Sequence, residues 1–183
     1  MDTLVMFKTG NQVIDQEVQE KARMKQTIRS GIQDKEFMVK ALDLAKKAAS
    51  IGETPVGALI IHNNEVIGTA HNRVEIDRDP TAHAEILAIR EAAAKLEDWR
   101  LSGTTMYVTV EPCVMCATAL LHARIKRVVF GAFDNRWGGL GSLFDFSHDP
   151  RINHELEVVS GILAKECSDI LVHFFKELRE PIL

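Results

Sequence analysis

Pro80-Thr81-Ala82-His83-Ala84-Glu85 is answered downstream by Glu111-Pro112-Cys113-Val114-Met115-Cys116, and together they offer one imidazole, two thiols and, in Glu85, a carboxylate left over from ligation. Cys113 and Cys116 stand three apart behind a proline. If Pro112 opens a helix, both sulfurs leave its first turn on the same side, where the N–H groups and the positive dipole end favour the thiolates a metal requires. His83 brings the ligand set to three. A structural zinc site normally closes its tetrahedron with protein atoms, whereas a catalytic one keeps a corner open for water. Glu85 follows His83 by two residues, an offset of about 200° on an ideal helix. Both serve one centre only if His83 stands at the helix entrance and Glu85 acts on something displaced from the metal, as a bound water would be.

A C-x-x-C alone fits a structural half-site or a redox pair as well as a catalytic site. With H-x-E ahead of it, P-C-x-x-C is the signature of the zinc deaminases that act on bases, in which a glutamate that is not a ligand moves the protons. The remaining cysteine, Cys167, lies in the apolar helical run Ile162 to Phe175 and reads as a small buried hydrophobe.

Working outward, the strand Thr104 to Val110 is rich in β-branched residues and delivers Glu111-Pro112-Cys113 at its carboxyl end. The helix behind it runs to about His122, and Arg127 to Ala132 is the next apolar strand. On the other side, Asp79-Pro80 begins a helix with the proline at its first position, and Ile86, Leu87 and Ile89 carry it to Leu96. Val56 to Ile61 and Glu65 to Val74 form an antiparallel pair about the polar turn His62-Asn63-Asn64. Before them, Asp34 caps a helix whose apolar face is Phe37, Ala41, Leu44, Ala45 and Ala48, stopped by Gly52. Val13 to Ile28 carry a weak helical stripe that Gly31 would end, so residues 1–33 form an N-terminal extension, helical or disordered, ahead of a domain at 34–183. After the fourth strand, Trp137-Gly138-Gly139-Leu140-Gly141 makes a flexible turn. Asp149-Pro150 starts a short helix, Glu157 to Val159 is a last strand, and Ile162 to Leu178 an amphipathic helix. Strands alternating with helices give an α/β layered domain around a mixed sheet, antiparallel at first and parallel later through helical crossovers.

With 183 residues, 46% apolar and 26% charged, the chain has the composition of one globular enzyme domain. No apolar run is long enough to span a membrane and no leader segment is recognisable. Two of three cysteines engaged by a metal leave no disulfide framework, which suits the cytoplasm. A net charge of −4 argues against indiscriminate polyanion binding. Arg124, Lys126, Arg127, Arg136 and Arg151 nonetheless gather near the cysteine half-site, as a local basic patch or as an ordinary solvated surface.

From Lys35 to Leu178 the chain resembles the bacterial tRNA-specific adenosine deaminases of the cytidine deaminase-like superfamily. Besides the two metal half-sites, the matching residues are Pro55-Val56-Gly57-Ala58, His71-Asn72-Arg73, Gly141-Ser142-Leu143, Asn153-His154, Gly161-Ile162-Leu163, Glu166-Cys167 and Phe174-Phe175. The resemblance implies a three-layer α/β/α sandwich around a mixed five-stranded sheet, a homodimer, and hydrolytic deamination of adenosine to inosine at the wobble position of a tRNA anticodon stem-loop, with no role for DNA. It implies one zinc ion per subunit on His83, Cys113 and Cys116, Glu85 as the proton-moving catalytic residue, and substrate contacts from Asn72, Asp134 and Asn153. Read alone, Asn72 caps a loop, Asp134 forms a turn, Asn153 caps a helix and Trp137 covers the core edge or stacks on a base. Two rival readings remain: a zinc deaminase of a free guanine- or cytosine-class base or nucleoside, and a non-catalytic zinc-binding subunit. The pocket rim separates the first from RNA chemistry, and a fourth protein ligand, Cys167 above all, would mark the second.

Overall fold

The computed structural model describes residues 20, 24 and 30–179. The stripe expected from Val13 to Ile28 therefore lies outside the described residues, which in that stretch are Glu20 and Met24 alone. The chain separates into two units, residues 1–34 and 35–183, and the second holds the whole sheet. Helix α1 covers residues 30–50. The helix is already formed at Gly31 and passes through Asp34 unbroken, so Asp34 is a buried helical residue rather than the cap expected of it.

The sheet contains β1 (Gly57–His62), β2 (Glu65–His71), β3 (Thr105–Val110), β4 (Arg127–Ala132) and β5 (Glu157–Val159) in the order β2-β1-β3-β4-β5. β1 pairs antiparallel with β2 and β3, while β3–β4 and β4–β5 are parallel. Period-two alternation splits each central strand between two cores. Ala58, Ile60, Met106, Val108, Val128 and Phe130 face α3 (Ala84–Leu96) and α4 (Val114–His122). Leu59, Ile61, Tyr107 and Val129 face α1 and α5 (Ala164–Glu177). This is the expected α/β/α sandwich.

Several boundaries differ from the sequence reading, each for a local reason. β2 stops at His71, and Val74–Asp77 turns into a one-turn helix, α2, braced by the bidentate Arg73–Asp77 pair. Pro80 is not the first residue of α3. The Asp79 carboxylate accepts from both the Thr81 amide (2.8 Å) and hydroxyl (2.7 Å), holding Asp79-Pro80-Thr81 in a turn, and α3 begins only at Ala84. α3 buries Ala84, Ala88 and Ala92 rather than its larger Ile86, Leu87 and Ile89. Small side chains let the helix lie almost on the sheet: a Cβ on Gly68 of β2 would come within 2.5 Å of the Ala88 carbonyl oxygen. Asp149-Pro150 forms a turn, not a helix, because Asp149 accepts from the Arg151 amide and guanidinium. The β4–β5 connection is therefore an irregular loop where a helical crossover was expected.

α3 also protects the open edge of β2, where Glu91 accepts the Thr69 amide (2.9 Å) and Lys95 donates to the Val66 carbonyl (3.0 Å). Phe130 is the largest fully buried side chain and sits mid-strand in the α3/α4 core. Phe130→Ala should lower the unfolding free energy by about 3–5 kcal/mol, read as a shift of the denaturant midpoint at constant slope.

Candidate functional site

His83 is the N-cap residue of α3 and Cys113 that of α4, both with extended backbone, and Cys116 lies on the first turn of α4. Two helix entrances, one behind β3, thus aim their side chains at a common point. The Nδ1 of His83 lies 3.7 Å from the Cys113 sulfur and 3.5 Å from that of Cys116, and the three ligand atoms fall within 4.8 Å of one another. Two thiols and an imidazole at such spacing fit a tetrahedral metal short of one protein ligand. Among the described residues they are the one group of this kind. Cys167 is not part of it. That side chain is fully buried in the opposite core, under Gly131 of β4, and burial pushes its thiol up to about 12.

The electrostatics agree with a metal site. The Cys113 thiol is pushed down to about 4, chiefly by a hydrogen bond from Cys116, with His83 adding to it. Cys116, the donor of that bond and fully buried, is driven up. The pair thus retains one proton that a dication would displace. Glu85 is buried, and desolvation pushes its carboxyl above the usual range, with the Cys113 charge acting in the same direction.

His83, Glu85 and Cys113 line the inner end of a cavity of about 520 Å³. Its wall includes Asn72, Glu53 and Asp134, and its mouth carries Phe133, Arg136, Trp137, Phe175 and Arg179. Asn72 is buried, its side-chain amide donating to Glu53 (3.0 Å), whose other oxygen accepts the Ile76 amide (2.8 Å). Asp134 lines the cavity and also makes the turn its position suggested, its Oδ1 accepting from the Arg136 and Trp137 amides. Asn153 lies elsewhere. It accepts from Arg124 through both its side-chain and main-chain oxygens, beside a second depression lined by Thr118, Leu121 and His122. Of the five cations near the cysteines, Arg127 pairs with Glu157 and Arg151 with Asp149, and Arg136 reaches the cavity.

Sequence reasoning gave no site role to Glu53, Phe175 or Arg179, although Phe174-Phe175 matched the family pattern. For Phe175 a signal existed: adjacent phenylalanines on one amphipathic helix cannot both face the core, and Phe174 is the buried one. Glu53 offered none, being one carboxylate in a polar turn.

Comparison with known proteins places this geometry. The model of the MafB19-like deaminases matches residues 32–179. The tRNA-specific adenosine deaminase of Haemophilus influenzae is 51% identical over 148 residues, covering 80% of this chain and 86% of its own. That of Bacillus subtilis is 49% identical over 148 residues, covering 81% and 92%. A solved structure from a study of A-to-I editing by tRNA deaminases at the wobble position superposes with a TM-score of 0.72 at 41% identity, over 74% of this chain and 99% of that one. With a triad that could hold a metal, a buried glutamate and this extent of likeness, the chain belongs to the MafB19-like deaminase family, among the tRNA-specific adenosine deaminases.

Proposed function

We propose that this chain hydrolyses adenosine to inosine at the wobble position of a tRNA anticodon, using zinc held by His83, Cys113 and Cys116. The observation that carries the reading is a buried Glu85 beside a three-ligand metal group, at the bottom of a cavity whose mouth is aromatic and cationic. When bound, zinc supplies the Lewis acidity that makes water nucleophilic near neutral pH. Glu85 takes the proton this water gives up as its oxygen adds to C6 of adenine, and delivers it to ring N1. The same carboxylate then carries the proton of the new hydroxyl to the amine, and the C–N bond breaks to release ammonia. Asn72, fixed by Glu53, presents its amide to the base, and Asp134 shapes the wall beside it. Asn153, remote from this cavity, would contact RNA outside the target nucleotide.

An extruded nucleotide of a single-stranded loop fits an open mouth better than a free base does. Trp137 is 68% exposed and Phe133 55%, surfaces suited to stacking on neighbouring bases, with Arg136 and Arg179 beside them for phosphates. The catalytic unit is residues 34–183, with 1–33 an extension, and the working form a cytoplasmic homodimer, which sedimentation of the purified protein would test. No helix among the described residues is long and apolar enough to cross a membrane.

Incubation with an anticodon stem-loop bearing adenosine at the wobble position should yield inosine and ammonia. Turnover of free bases or nucleosides alone would overturn the assignment in favour of a small-molecule deaminase. Arg136→Glu and Arg179→Glu should each weaken stem-loop binding about tenfold and flatten its salt dependence by roughly one phosphate contact, measured by titration at several ionic strengths.

A further inference from the structure

Glu111, the residue between β3 and the Pro112-Cys113 turn, is 2% exposed, and the chemistry above gives it no part. Its carboxylate accepts four donors. Oε1 takes the Leu140 amide (3.1 Å) and the Ser142 amide (3.0 Å), and Oε2 takes the Asp134 amide (3.1 Å) and the Ser142 hydroxyl. All four come from the loop after β4, which supplies Phe133, Asp134, Arg136 and Trp137 to the cavity. The same loop lies against the metal-bearing turn: the Val114 amide donates to the Trp137 carbonyl (3.0 Å), the Gly139 amide to that of Pro112 (2.9 Å), and Cys113 bridges Gly138. The approach is close enough to require glycine. A Cβ on Gly138 would stand 2.6 Å from the Glu111 carboxylate and 2.5 Å from the Asp134 carbonyl oxygen. The expected flexible glycine turn is in fact a tethered one.

We infer that Glu111 is a positioning residue for substrate recognition, locking the rim loop 133–142 to the turn that carries Cys113 so that metal and rim keep one fixed separation. The inference rests on the proposed reading of the cavity as the nucleotide pocket. A carboxylate suits the task because it only accepts, and four donors converge on its two oxygens. Glutamine has the same shape but carries an NH₂ group: at Oε2 it can still donate to the Ser142 hydroxyl but opposes the Asp134 amide, and at Oε1 it opposes both the Leu140 and Ser142 amides. One or two of the four tethers then fail while the packing around the side chain stays filled.

The test compares wild type, Glu111→Gln and Ser142→Ala on the anticodon stem-loop, with metal content and amide hydrogen exchange measured on each free protein. Glu111→Gln should raise KM about tenfold with kcat nearly unchanged, the pattern of lost ground-state binding. It should keep its metal and speed exchange at the Asp134, Leu140 and Ser142 amides. Ser142→Ala, which removes one tether, should fall between. A merely structural glutamate would instead lower the melting temperature and cut the active fraction, reducing apparent kcat at constant KM. That outcome overturns the inference, as does unchanged exchange at the three amides, a result independent of RNA. If wild type itself fails on the stem-loop while the exchange difference stands, the substrate reading falls, and Glu111 remains the anchor of the loop.

Discussion

Glu85→Gln should lower kcat by roughly a hundred- to ten-thousand-fold while the protein still binds one metal ion per chain. Glutamine is isosteric, so α3 and its alanine contact with the sheet are undisturbed; what disappears is the ability to take and return a proton. The assignment has competitors, since Glu53, Glu75, Glu111 and Asp134 also line the cavity; Glu75 is exposed and the other three are engaged. Glu53 is held by Asn72 and Ile76, Glu111 by four donors, and Asp134 by its own turn. Glu85 alone combines burial, a carboxyl pushed upward by desolvation, and a place two residues past His83. A raised carboxyl suits this shuttle, because the group must be basic enough to accept from water and acidic enough to protonate an amine. Metal analysis and ammonia release on one preparation decide the matter. A variant that loses its metal would make Glu85 a ligand, and one with unchanged kcat would move the base to another carboxylate of the cavity.

The sequence carried the site's chemistry further than its walls. That His83, Cys113 and Cys116 come together with Glu85 beside them was legible because metal ligation and proton transfer, the roles proposed for them, demand particular residue types at short spacing, and the place of His83 at a helix entrance followed from the angle per residue. The sheet was legible too, its strands being β-branched runs of ordinary length. What escaped was decided by contacts across sequence. Asp34 looks like a cap, yet the helix is already formed before it. Pro80 looks like a first helical residue until the Asp79 carboxylate closes the turn around it. Asp149-Pro150 likewise resembles a helix start, but Arg151 draws the aspartate into a turn. Glu53 and Glu111 were unreadable because their meaning lies in which donors the fold brings to them. The irregular β4–β5 loop, with no periodicity to betray it, supplies much of the rim.

Cys116→Ala should abolish metal binding and turnover together, and its thermal stability should match that of chelator-treated wild type. Cys116 is the fully buried member of the ligand group, on the first turn of α4, the helix whose Ala117 and Leu120 belong to the core on this face of the sheet. Alanine fills part of that space, so the fold persists, but His83 and Cys113 alone cannot hold a borderline-soft dication in a tetrahedral site. The stability effect follows from mass action. A metal that binds only the folded chain stabilises it by about 4 kcal/mol at a thousand times its dissociation constant. That contribution joins the N-terminus of α3 to that of α4, which no hydrogen bond between their backbones does among the bonds described. Wild type should therefore lose several degrees of melting temperature on chelation, and Cys116→Ala should show no response to chelator at all. Cys167 cannot substitute, since the sheet lies between it and the site. If Cys116→Ala still bound metal at one ion per chain and still released ammonia, the ligand set would have to be redrawn, and with it the open corner on which the proposed reaction depends.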